Sequence, residues 1–147
     1  MCKMKRTLVI IILIVIVIVS VIVGFIIDRN MRVDEARRHN SQLERYLDRE
    51  ILGTELASLI NRVMDHNRRN NVERDSEGRF INNGTNSIRI DIEMITIEDT
   101  FSMEWIYDRG TTGFVHAFIT IPFRSVEVEY HPETGKISRI VFLQLED

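Results

Sequence analysis

Residues 125–145 read SVEVEYHPETGKISRIVFLQL, and the fold class turns on them. Val126, Val128 and Tyr130 alternate with Ser125, Glu127 and Glu129, the period of two that gives a strand one apolar and one wetted face. His131-Pro132-Glu133-Thr134-Gly135 follows. Proline fixes φ and glycine is free to take a positive one, so a turn is expected there. The return strand, residues 136–145, carries Ile140, Val141, Phe142 and Leu143, apolar on both faces. Such a run is expected of a central strand with a helix over one side.

Upstream, Ile88, Ile90, Ile92 and Met94 alternate with Arg89, Asp91 and Glu93, a second half-buried strand. Between the two strand regions, Met103, Ile106 and Tyr107, then Phe114, Val115 and Phe118, have helical spacing split by Asp108-Arg109-Gly110. Short helices or turns are expected there. Before the strands lies a zone of breakers, residues 75–78 and 82–86.

Residues 30–69 are rich in helix formers and contain no proline. Leu43, Tyr46, Leu47, Ile51, Leu52, Leu56, Leu59, Ile60 and Val63 recur at spacings of three and four, one apolar stripe. Gly53 interrupts it, with Thr54 placed to cap a new helix and Glu55 in its first turn. One helix through Gly53 and two helices joined near it are both open. The cost of an interior glycine, about 1 kcal/mol, favours continuity or a shallow kink. The stripe ending at Val63 and Met64 is the natural cover for the sheet. The expected fold is α+β: an N-terminal transmembrane helix continuing into a long amphipathic helix, packed on a small antiparallel β-sheet of three or four strands.

The transmembrane element is residues 8–27, LVIIILIVIVIVSVIVGFII. Twenty residues at about 1.5 Å rise reach about 30 Å, the thickness of a bilayer's hydrocarbon core. The run exceeds a signal peptide's apolar segment, and large residues occupy the positions where cleavage needs small ones. A retained anchor in the lipid bilayer is therefore expected. The domains are a basic tail at 1–7, the membrane helix at 8–27, a polar stalk helix at 28–42 and an α+β soluble domain at 43–147. Lys and Arg are near parity on the two sides of the helix. A short basic tail before a first apolar segment stays in the cytoplasm, so the C-terminal domain is expected to be extracytoplasmic. Cys2 is the one cysteine and permits no internal disulfide.

The net charge of −3 hides an asymmetry. Residues 28–79 carry 11 basic and 11 acidic side chains, whereas residues 80–147 carry 5 and 11. An acidic C-terminal half argues against nucleic acid, which needs a concentrated basic face. His39, His66, His116 and His131 show no metal-ligand spacing, and no metal or other cofactor is expected. His131, at a turn, is expected on the surface. Asp65 and His66 are adjacent on a helix and diverge by about 100°. Glu127 and Glu129 share a strand face, but that face is the wet one. Asn83-Gly84-Thr85 is a sequon that carries meaning only in a eukaryotic secretory route. No nucleophile elbow, phosphate loop or glycine-rich fingerprint is present, so no catalytic residue is assigned and an enzyme is not expected. Met103-Glu104-Trp105-Ile106-Tyr107 concentrates aromatic residues, which dominate both cores and binding hot spots. Trp105 and Tyr107 are the candidate protein-interaction patch.

The layout of an apolar helix running into an amphipathic helix and then an antiparallel sheet resembles that of type IV pilins and pseudopilins. The leader glycine and the glutamate five residues into that family's apolar segment have no counterpart in residues 8–27. More specifically, Gly53-Thr54-Glu55-Leu56-Ala57-Ser58-Leu59-Ile60-Asn61, Met103-Glu104, and Tyr130-His131 with Thr134-Gly135 resemble a group of small uncharacterised single-pass membrane proteins of anaerobic Gram-positive bacteria. That resemblance implies family membership and carries no activity. The expected function is a membrane-anchored protein-interaction or pilus-like envelope assembly subunit with a protein partner in or near the membrane. The alternative is a tethered sensory or small-ligand-binding domain.

Overall fold

A computed structural model describes the backbone of residues 2–146 and the side chains of residues 8–146. The side chains of the basic tail, Cys2, Lys3, Lys5 and Arg6, lie outside the described residues. The elements in chain order are α1 (Cys2–Glu44), β1 (Ile51–Leu52), α2 (Gly53–Arg69), β2 (Arg89–Met94), β3 (Asp99–Ser102), α3 (Met103–Asp108), α4 (Thr111–Phe118), β4 (Pro122–Tyr130) and β5 (Ile137–Gln144). The chain forms two units, Met1–Glu35 and Ala36–Asp147. In the first, α1 is long and apolar enough to cross a membrane, and its apolar side chains from Leu8 to Ile27 are exposed. Ser20 returns its hydroxyl to the Ile16 carbonyl at 2.8 Å, which leaves the run without a free polar side chain.

The second unit is α+β, with α2, α3 and α4 gathered beside one five-stranded sheet ordered β1-β4-β5-β2-β3. The 125–145 hairpin forms antiparallel as expected, and β5 is the central strand. The sheet is mixed rather than wholly antiparallel: β5 pairs with β2 in parallel, Ile90 beside Ile140 and Ile92 beside Phe142. Two hairpins, β2–β3 and β4–β5, are thus laid side by side. The doubly apolar run in β5 suits this position, because strands flanked in parallel are buried on both faces. Ile88, Ile90, Ile92 and Met94 are all buried, as their alternation required. The alternation in β4 does not hold in the same way. Register shifts at Ser125/Glu127 and Glu129/Tyr130 rotate the strand locally, and Val126 and Tyr130 stand exposed beside Glu127 and Glu129.

The helical region is broken, not continuous. It leaves α1 after Glu44, turns through residues 45–50, pairs as β1 with Phe123 and Pro122, and restarts at Gly53. The reason lies across the domain. A Cβ on Gly53 would sit 2.1 Å from the Phe118 carbonyl oxygen, so only glycine lets α2 begin against the end of α4. Leu52 takes the cap position in place of Thr54, and the Glu55 carboxylate accepts the Leu52 N–H at 3.3 Å. Glu55 also takes Arg49 at 2.5 Å, which holds its carboxyl below the usual range. From there α2 lays Leu56, Leu59, Ile60, Val63 and Met64 into the core.

Two buried asparagines each pair with a backbone donor and a backbone acceptor. Asn67 on α2 donates Nδ2 to the Ile88 carbonyl at 2.7 Å and accepts the Ile88 N–H at 3.0 Å. Asn40 donates to the Gly135 carbonyl and accepts the Ile137 N–H, both at 2.9 Å. The unit therefore starts at Ala36, and the expected stalk gives up Ala36 and Asn40 to the domain because an amide that matches a backbone pair can be buried. His131 is likewise buried rather than on the turn surface. Its Nε2 donates to the Ser87 carbonyl at 2.8 Å.

Gly53→Ala should destabilise the domain by about 1–3 kcal/mol through overpacking, seen as a lowered Tm. A chain beginning at Ala36 should melt cooperatively, because it keeps Asn40 and all of α2. One beginning at Asn71 should aggregate, since it leaves the apolar sheet face open. A soluble, cooperatively melting chain from Asn71 would mean that α2 is not the cover.

Candidate functional site

The 101–109 segment passes from strand to helix without a loop: β3 ends at Ser102 and α3 starts at Met103. The Ser102 hydroxyl accepts the Trp105 N–H at 3.3 Å and caps the new helix. Met103 and Ile106 turn into the core, which sends Trp105 outward, 41 % exposed. Residues four apart stack on this face. The Phe101 ring lies parallel to the Trp105 ring, centroids 4.3 Å apart, and the Arg109 guanidinium sits 4.0 Å from the Trp105 ring centre.

This stack separates two hollows. On one side is an apolar groove of about 360 Å³ between β3, α3 and α4, floored by Ile106, Phe114 and Phe118 with Ile97 at its rim. On the other is a polar cavity of about 540 Å³ whose wall includes Asp99, Glu104, Asp108, Arg79 and Arg89. Phe101, Trp105 and Arg109 belong to both. Beside them β3 is a sheet edge, with β2 as its single strand neighbour. Ile95 and Ile97, in the turn between β2 and β3, are exposed and extend the apolar surface.

The two predicted patch residues part company. Trp105 forms the ridge between the hollows, whereas Tyr107 lines neither. Its hydroxyl accepts Arg68 Nη1 at 2.8 Å and its ring lies under the same guanidinium, so it ties α3 to α2. Phe101, Glu104 and Arg109 are site residues that sequence reasoning missed. The signal for the stack was available in the Phe101-x-x-x-Trp105-x-x-x-Arg109 spacing. That Glu104 would be buried beside a cavity was not.

The other candidates have structural explanations. Arg139 Nη1 lies 2.9 Å from Glu129 and 3.4 Å from Glu127, and its Nε bonds Asp91 at 2.6 Å. The Asp91 and Glu129 carboxylates raise the Arg139 pKa above its ordinary value. These acids are a cross-strand ion network, not an acid/base pair. His39 and His66 meet edge to face at 5.0 Å, and His66 Nε2 lies 2.9 Å from the Asn86 carbonyl. Among the described residues no group of three or more His, Cys, Asp or Glu is placed to hold a metal ion. Asn83, the sequon residue, is held in its own loop, its Oδ1 accepting the N–H groups of Thr85, Asn86 and Ser87.

Trp105 is the one tryptophan, so its fluorescence reports this face directly. Its emission should be quenched efficiently by acrylamide in the folded protein, and Trp105→Ala should cost less than about 1.5 kcal/mol, well short of a buried aromatic. A blue-shifted, unquenchable emission would place Trp105 in the core.

Compared with known protein families, curated proteins and solved structures, the chain matches none, and its function is read from the geometry of this face.

Proposed function

We propose that the chain is a membrane-tethered protein-interaction domain, a subunit of an envelope or pilus-like assembly, held in the bilayer by residues 8–27 with its α+β domain extracytoplasmic. The observation that carries the reading is the exposed Trp105 ridge beside a groove of about 360 Å³. A large aromatic held outward by a capped helix, next to an apolar groove and a sheet edge, has the make-up of a binding hot spot. A tether supports the same reading, since confinement to a surface raises the effective concentration of a membrane partner and lets a modest interface suffice. The polar cavity of about 540 Å³ on the far side of the ridge favours a second reading, a tethered sensory domain for a small ligand.

Photo-cross-linking from position 97 in intact membranes should capture one defined partner. Trp105→Ala should abolish that capture while leaving the melting transition in place. Absence of any partner, together with a small molecule that raises the Tm, would replace the interaction reading with the sensory one. For orientation, Cys2→Ser with Ser76→Cys places a single thiol on an exposed loop of the domain. An impermeant maleimide should label intact cells, and labelling only after lysis would put the domain in the cytoplasm.

A further inference from the structure

We infer that the polar cavity beside β3 is a site for an organic cation, a guanidinium or ammonium group, received by the Glu104 carboxylate. The inference rests on the Trp105 face being the domain's binding face and gives that face the chemistry of its ligand.

The cavity wall carries five acidic side chains and three arginines, and the arginines are engaged. Arg79 holds Glu77 at 3.0 Å, Arg89 faces Asp91 at 3.7 Å, and Arg109 lies on Trp105. Asp91 is further bound by Arg139. Asp99, Glu104 and Asp108 remain, and none of them has an ion-pair partner among the described residues. Glu104 is the decisive one, because it is only 5 % exposed. Its Oε1 accepts the Phe80 N–H at 2.9 Å, the one hydrogen bond of that carboxylate among the described residues. Among the described residues Oε2 has no hydrogen-bond partner, and it keeps some solvent access where Glu104 lines the cavity. A carboxylate this buried is costly without a counter-charge, and among the described residues no base lies within ion-pair distance of it.

The free carboxylates do not converge as metal ligands. Carboxylates spread around a cavity of about 540 Å³ suit a larger cation with several divergent donors, as a guanidinium has. The shared ridge adds a second specification. A cation in the polar cavity with a short hydrocarbon flank would lie across Trp105 and place that flank in the apolar groove. The ligand class is therefore a basic group adjacent to an apolar one.

The test uses the full chain in detergent micelles, with Trp105 emission as readout and three probes: N-acetyl-leucyl-arginine amide, its uncharged citrulline analogue, and butylguanidinium. The arginine probe should shift the emission saturably. The citrulline analogue should bind about 10- to 100-fold more weakly, the range for losing a hydrogen bond to a charged group. Glu104→Gln keeps an oxygen for the Phe80 N–H and should erase that discrimination without lowering the Tm. If that variant fails to fold, the double variant Asp99→Asn, Asp108→Asn, both exposed, must lower the arginine probe's affinity severalfold. Butylguanidinium binding as tightly as the dipeptide would identify a small cation as the ligand; weaker binding would identify a protein side chain. Both outcomes support a cation site. Equal binding of the arginine and citrulline probes, or no saturable response to either cation, overturns it. Should the probes fail while cross-linking still captures a partner, the cation site falls and the interaction reading stands. Glu104-dependent binding with no partner captured leaves the cation site in place and removes the interaction reading.

Discussion

Leu56, Leu59, Ile60, Val63 and Met64 leave essentially no surface to solvent, and this strip of α2 on the sheet is the contact from which the rest of the domain follows. Each such side chain contributes about 1.5–3 kcal/mol on burial. Together they match the whole net stability of a small domain, roughly 5–15 kcal/mol. The start of α2 is pinned against the end of α4, where only Gly53 fits. The preceding chain must then arrive extended, which is why Ile51 and Leu52 become an edge strand.

Polar groups at the margins of this core act as fasteners. Asn67 and Asn40 each satisfy one donor and one acceptor of the backbone, at Ile88 and around Gly135–Ile137. A buried amide used in this way fixes register, since sliding the strand by one residue would leave both groups unpaired. On the sheet Arg139 gathers Asp91, Glu127 and Glu129 from the strands on either side of β5. That network accounts for three of the acids that make the C-terminal half so negative.

The Trp105 face differs from these margins because its groups are not used up. Met103 and Ile106 are spent on the core, and their burial is what forces Trp105 outward. Glu104, on the same helix, is buried without a base. Elsewhere in the domain Asn40 and Asn67 are matched by backbone partners and Asp91 by Arg139. An exposed aromatic ridge and a buried carboxylate without an ion-pair partner among the described residues stand side by side there, and the proposed binding role rests on that juxtaposition.

The apolar helix over residues 8–27, the alternation from Ile88 to Met94 and the 125–145 hairpin each declare themselves in the sequence, because period and run length are local properties of the chain. The α2 stripe and its role as cover are legible for the same reason. The break before Gly53 was not, since the atom that forbids a side chain there, the Phe118 carbonyl oxygen, lies 65 residues away in the chain. The parallel pairing of β2 with β5 and the bulges in β4 depend on which strands become neighbours, a choice made by docking two hairpins and not by either one. At the site, the sequence marked Trp105 as an aromatic worth attention. Only tertiary packing decided that Trp105 faces out, that Tyr107 is tied to Arg68, and that Glu104 borders a cavity. Exposure is a property of what surrounds a residue, and those surroundings are assembled from segments far apart in the chain.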